Sequence, residues 1–173
     1  MVKHMLKYWR MGADVKGGAT VEDRRWLREA VELSRRCPPS TAAYSVGAII
    51  VDRDGRERSR GYSRDLHPVI HAEESALVRA RGTDLSGATM YTTMEPCTTR
   101  KSGPRTCTDL IIEAGFARVV LALLEPPVLA HCIGVQMLRE AGLDVVTIHD
   151  LGAEVVAVNA AVLGRPVRAS PPG

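Results

Sequence analysis

Four side chains between positions 71 and 107 could do hydrolytic chemistry together: His71, Glu73, Cys97 and Cys107. One imidazole and two thiols supply the three protein ligands of a catalytic zinc, whose fourth position is left to water. A carboxylate two residues from the imidazole is placed to move that water's proton. Singly, each has an ordinary explanation: a histidine at a helix start is more often a cap than a ligand, and a buried cysteine more often a small hydrophobe. The joint pattern carries the reading, because His71 and Glu73 fall at a predicted helix start and Pro96-Cys97 at a predicted strand end.

The segments His71-Ala72-Glu73, Pro96-Cys97 and Cys107 resemble the H-x-E and P-C…C signature of the zinc deaminases that act on nucleobases. The resemblance implies His71, Cys97 and Cys107 as zinc ligands and Glu73 as general acid/base. The commonest form of that signature has two residues between the cysteines, whereas this chain has nine. The run Tyr91-Thr92-Thr93-Met94-Glu95-Pro96-Cys97, with Arg100, Ser102-Gly103 and the long gap, is similar to the pyrimidine deaminases of riboflavin biosynthesis, particularly the fungal type. Val46-Gly47-Ala48 and Glu125-Pro126 are similar as well, so the likeness covers about residues 24–160. It implies a cytidine-deaminase-like α/β fold and a homo-oligomer. The implied substrate is a diaminopyrimidinone bearing a ribosylamino or ribitylamino 5′-phosphate. Bacterial relatives, which also carry a reductase domain, place Asn where this chain has Ala43, and Asp-Pro-Asn where it has Glu125-Pro126-Pro127.

The long loop suits a phosphorylated substrate. Arg100, Lys101 and Arg105, with the hydroxyls of Thr99 and Ser102, could hold a phosphate by charge-assisted hydrogen bonds. Arg100 comes first because it alone of the three cations matches the fungal pattern. Ala43 and Glu125 complete the candidate substrate positions. Two other readings compete: a nucleobase or nucleoside deaminase of specialised metabolism, and a non-catalytic zinc-stabilised interaction module closed by a fourth ligand from Cys37 or Cys132. Glu73 speaks against the module, since a structural zinc needs no adjacent carboxylate. Cys37 at a helix end and Cys132 on an apolar helix read as packing.

The elements must deliver these groups to one place. Thr20 and Asp23 predict a helix N-terminus, with Leu27, Ala30, Val31 and Ser34 on one face and Pro38-Pro39 ending it near Arg36. Residues 46–51 and 56–63 predict a hairpin, the second strand nearer an edge. A helix over 71–81 places His71 in its first turn, and a third strand over 88–93 delivers Pro96-Cys97 at its C-terminal end. A helix over 107–114, a strand over 117–124, a helix over 130–141, a strand over 143–148 and a helix over 152–163 complete a three-layer α/β/α domain. Its five-stranded mixed sheet has parallel fourth and fifth strands, joined by a right-handed crossover.

A chain of 173 residues, 45% hydrophobic, fits one well-buried core. The expected division is a mobile leader over 1–19, the zinc deaminase domain over 20–164 and a flexible tail over 165–173. Four cysteines and no signal-like apolar stretch fit a reducing cytoplasm, and no run approaches membrane-spanning length. The net charge of +3 sits in residues 1–19, where Lys3, Lys7, Arg10 and Lys16 face Asp14. The remainder is neutral, which disfavours nucleic acid as a partner; the small aminopyrimidine partner is what the resemblance implies.

Overall fold

The structure, a computed structural model, describes residues 18–100, 103–126, 129 and 131–164. Most of the expected leader, the expected tail and the loop residues Lys101 and Ser102 lie outside the described residues.

Helix α1 (Val21–Ser34) begins where the sequence predicts, because Thr20 and Asp23 form a capping box. Thr20 Oγ1 accepts from the Asp23 amide at 3.0 Å, and Asp23 Oδ2 accepts from the Thr20 amide at 2.8 Å. The same carboxylate, 3% exposed, accepts from the Tyr91 hydroxyl at 3.0 Å and from Arg118 at 2.8 Å. The cap therefore welds α1 to the sheet, and its buried charge is met by several donors.

Strands β1 (Gly47–Val51) and β2 (Glu57–Tyr62) form the predicted hairpin, followed by α2 (Ala72–Arg79) and β3 (Thr89–Met94). Then come α3 (Cys107–Glu113), β4 (Arg118–Leu123), α4 (Gly134–Glu140) and β5 (Asp144–Thr147). A 3₁₀ turn over His149–Leu151 leads into α5 (Gly152–Val158) and α6 (Ala160–Leu163). The strand order is β2-β1-β3-β4-β5. β1 is antiparallel to β2 and β3, whereas β3–β4 and β4–β5 are parallel. β2, with Arg58 and Arg60, is a charged edge, which guards against edge-to-edge pairing.

Strands β1, β3 and β4 are buried on both faces and read as near-continuous apolar runs for that reason. Ile49, Val51, Tyr91, Val120 and Val146 face α1 and α5. Ala48, Ile50, Met90, Val119 and Leu121 face α2, α3 and α4. Period-two alternation thus builds both cores and the three layers, each large aliphatic side chain contributing about 1.5–3 kcal/mol on burial. α1 lies so close to β1 that a Cβ on Gly47 would stand 2.1 Å from the Ala30 carbonyl oxygen.

Topology decides where the site falls. With β3 and β4 parallel, their C-terminal ends share one sheet edge, and two antiparallel steps bring the start of β1 and the end of β2 to it. The segments 42–46, 63–71, 95–100 and 124–126 therefore meet there, the edge at which such sheets collect ligands.

Three expectations need correction. His71 is the N-cap of α2, with φ −86° and ψ 161°, rather than part of its first turn, and its imidazole caps nothing. The helix predicted over 130–141 begins at Gly134, because Cys132 Sγ and the Ile133 amide are held by Pro96 O and Thr98 Oγ1. Cys132 is consequently on a loop beside Pro96 and not among apolar helix residues. The helix predicted over 152–163 breaks at Asn159, whose side-chain amide bonds Ser45.

Candidate active site

The extended N-cap geometry turns His71 away from α2 toward the loop after β3. Its Nδ1 lies 3.4 Å from Cys97 Sγ and 3.4 Å from Cys107 Sγ, and the three donor atoms all lie within 4.8 Å of one another. Cys107 opens α3, whose N-terminus is fixed by a second capping box, Thr106 with Asp109. Its amide donates to Cys97 Sγ at 3.4 Å, and Thr108 Oγ1 donates to the Pro96 and Cys97 carbonyls at 3.0 Å. The thiols thus owe their spacing to the start of α3 as much as to the end of β3.

The donor set fits zinc. Ligand atoms on a tetrahedral zinc stand about 3.5–3.8 Å apart, close to the distances found, and imidazole with thiolate suits that ion. Among the described residues the cluster comprises these three side chains. Cys37 Sγ bonds Val46 O at 3.4 Å and Cys132 Sγ bonds Pro96 O at 3.2 Å, so neither joins it. The Cys97 thiol is held down to about 4, first by its bond with Cys107 and then by His71. Cys107 is pushed up by that same bond and by burial, so one proton is shared unevenly between the pair.

Glu73, 4% exposed on the first turn of α2, accepts the Thr92 hydroxyl at Oε1, 2.8 Å away. Burial pushes its carboxyl up, opposed by the nearby His71. Thr92 was missed from sequence, although a polar residue inside an apolar central strand signals a buried partner.

His71, Glu73 and Cys97 line a cavity of about 540 Å³ with Ala43, Tyr44, Arg64, Thr99, Arg100 and Glu125. That is a size for a small molecule. Ala43, Thr99, Arg100 and Glu125 therefore stand where the sequence expected a substrate, whereas Arg105 does not. The Thr106 cap turns the chain, and Arg105 pairs with Glu113 on the exposed side of α3. Arg100 is 5% exposed and paired with Glu74 at 2.9 Å, a partner not foreseen.

Burial raises the Glu125 carboxyl to about 7, opposed by a bond from Cys132. The folded chain thus favours the neutral acid, and stability falls as pH rises from the ordinary carboxylate range to about 7, then stays level. Glu125→Gln should match the parent near pH 4.5 and be more stable by about 1–2 kcal/mol near pH 8, allowing for the solvent this group meets. Urea unfolding at the two pH values measures it.

Gly134 ties the site to α4: a Cβ there would stand 2.2 Å from the Pro96 carbonyl oxygen. Gly134→Ala should cost about 1–3 kcal/mol by overpacking and weaken zinc retention by moving Cys97, read by thermal unfolding with and without a chelator.

Residues 20–123 match the cytidine and deoxycytidylate deaminase zinc-binding region, and the chain belongs to that family of zinc-binding deaminases. Within it, the chain is 41% identical over 145 residues to the diaminohydroxyphosphoribosylamino-pyrimidine deaminase of Schizosaccharomyces pombe, covering 82% of this chain and 35% of that protein. It is 39% identical over 124 residues to the riboflavin biosynthesis protein RibD of Aquifex aeolicus, covering 71% and 34%. The chain thus spans about a third of the length of these curated relatives. The Aspergillus oryzae Rib2 deaminase, solved in complex with DARIPP, superposes with a TM-score of 0.72 at 29% identity, covering 82% of this chain and 92% of that one. The five-stranded sheet with its parallel β3–β4–β5 half is that cytidine-deaminase-like fold.

Proposed function

We propose that this chain is a zinc-dependent hydrolytic deaminase of an aminopyrimidine, and that its substrate is the diaminopyrimidinone ribosylamino 5′-phosphate of the riboflavin pathway. The observation that carries the reading is a buried glutamate, oriented by Thr92, in one cavity with His71 and Cys97, whose donor atoms cluster with that of Cys107. In the proposed roles His71, Cys97 and Cys107 hold the metal and Glu73 moves protons.

Zinc held there would lower the pKa of water from about 15.7 toward about 7 and so supply a nucleophile at neutral pH. Glu73 would take one proton from the attacking water and give it to the ring nitrogen beside the amine-bearing carbon. The water's second proton would pass through Glu73 to the departing amine, so that C–NH₂ and water become C=O and ammonia. The Thr92 hydroxyl fixes Oε1 throughout, and burial raises the carboxyl above its ordinary value, which favours its holding a proton.

The relatives named for this reaction support the substrate, as does a cavity large enough for a pyrimidine with a sugar tail. Ammonia release from the phosphorylated diaminopyrimidine by the zinc-loaded chain tests it, and turnover of free cytosine or cytidine in its place would overturn it. The reading includes a homo-oligomer in the cytoplasm. Val69 and Leu129, each 48% exposed on the rim of the pocket, support the assembly as apolar side chains, and light scattering checks it.

A further inference from the structure

The following rests on the proposed substrate and concerns which residue receives its phosphate. Two arginines line the cavity, Arg64 and Arg100, and their guanidinium groups differ in what they face. Arg100 Nη1 lies 2.9 Å from Glu74 Oε2, and its Nη2 donates to Val69 O at 3.4 Å. A cation already joined to a carboxylate offers little net charge to an incoming anion, which must first displace that carboxylate.

Arg64 has no carboxylate within ion-pair distance among the described residues. Its neighbour Asp65 turns instead to Arg79 at 2.9 Å and to Ser75 Oγ at 3.0 Å. Arg64 donates to uncharged acceptors: Tyr44 O at 2.8 Å, Pro38 O at 2.7 Å and Ser45 Oγ at 3.1 Å. Those bonds hold the guanidinium against the cavity wall without a carboxylate to compensate its charge; of its five N–H groups three are engaged, and the buried Nε has no partner among the described residues. The backbone adds an independent sign. Arg64 has φ 66°, the one non-glycine residue with positive φ among the described residues. Glycine adopts that conformation without strain, so an arginine there is tolerated for what its side chain does.

We propose that Arg64 is the specificity-determining cation of the pocket and receives the phosphate of the substrate. Arg100 is a positioning residue that ties the loop between the two cysteines to α2 through Glu74. The juxtaposition of one compensated and one uncompensated guanidinium in a single cavity assigns the roles.

The test uses the full zinc-loaded chain in two arms. Calorimetric titration with ribose 5-phosphate reads anion binding directly. Kinetics with the phosphorylated diaminopyrimidine and its dephosphorylated counterpart read specificity. Arg64→Gln should weaken ribose 5-phosphate binding and raise KM for the phosphorylated substrate by about ten- to a hundredfold, the worth of charged hydrogen bonds. Its kcat, and KM for the dephosphorylated compound, should stay within about twofold. Arg64→Lys should recover part of the phosphate preference, which loss of a wall tether alone would not allow. Arg100→Gln should lower kcat for both compounds alike and leave the ratio of their KM values unchanged. Equal effects of Arg64→Gln on both compounds, or loss of the phosphate preference in Arg100→Gln instead, would overturn the proposal. Should the parent turn over neither pyrimidine, the proposed substrate fails while the calorimetric arm still decides: binding lost in Arg64→Gln upholds the cation, and binding absent from the parent or unchanged in the variant removes it.

Discussion

Glu73→Gln, assayed as the zinc-loaded protein, is expected to lower kcat for deamination by roughly two to four orders of magnitude. Zinc content per chain should stay that of the parent. The amide keeps the volume of the carboxylate, and its oxygen can still accept the Thr92 hydroxyl that lies 2.8 Å away in the parent. What it cannot do is take a proton. The variant should also unfold no earlier than the parent. Burial raises the Glu73 carboxyl, so the folded chain favours the neutral form and loses stability as pH climbs from the ordinary carboxylate range toward the raised value. A neutral amide escapes that loss. Metal analysis, turnover and thermal unfolding on one preparation separate chemistry from folding, and full turnover in the variant would end the assignment of Glu73 as proton carrier.

Cys107→Ser is expected to purify without stoichiometric zinc and to melt where chelator-treated parent melts. Cys132→Ser, beside the same loop, should keep its zinc. Cys107 is fully buried at the first position of α3, and its sulfur stands 3.4 Å from His71 Nδ1. A serine oxygen is a harder and poorer donor at a site built on imidazole and thiolate. A metal that binds the folded chain alone stabilises it by mass action, about 4 kcal/mol when free zinc exceeds the dissociation constant a thousandfold, so the difference is readable as a midpoint shift. Zinc retained by Cys107→Ser, or lost from Cys132→Ser, would redraw the ligand set.

Much of this arrangement was legible because it depends on short-range signals. Thr20 with Asp23 marks a helix start in sequence, and the capping box is found there. The apolar runs of β1, β3 and β4 announce buried strands, and Pro96-Cys97 at the end of β3 follows from strand length. Strand order was not predicted, since pairing between residues tens of positions apart leaves no local periodicity.

The same limit explains what stayed hidden around the pocket. A nine-residue loop shows no direction in sequence, so the pairing of Arg105 with Glu113 was not foreseen. The Arg100–Glu74 pair joins positions 26 apart, and neither charge reveals its partner. Cys132 was drawn into a helix by its apolar neighbours, whereas bonds to the Cys97 loop keep 131–133 out of it. At Asn159 the competing interaction was a side-chain amide bonding the backbone of Ser45, which no helical period can show.

That amide has a consequence for the order in which the molecule is completed. Asn159 Oδ1 accepts from the Ser45 amide at 2.7 Å and its Nδ2 donates to the Ser45 carbonyl at 3.1 Å, so one side chain imitates a strand neighbour 114 positions away. Ser45 adjoins Tyr44, whose hydroxyl reaches Pro126 across the cavity. Residues 20–123 contain His71, Cys97 and Cys107 and four of the five strands, and a chain emerging from the ribosome presents them before its closing helices. Ser45 and its neighbour Tyr44 therefore gain this anchor only once the closing helices dock.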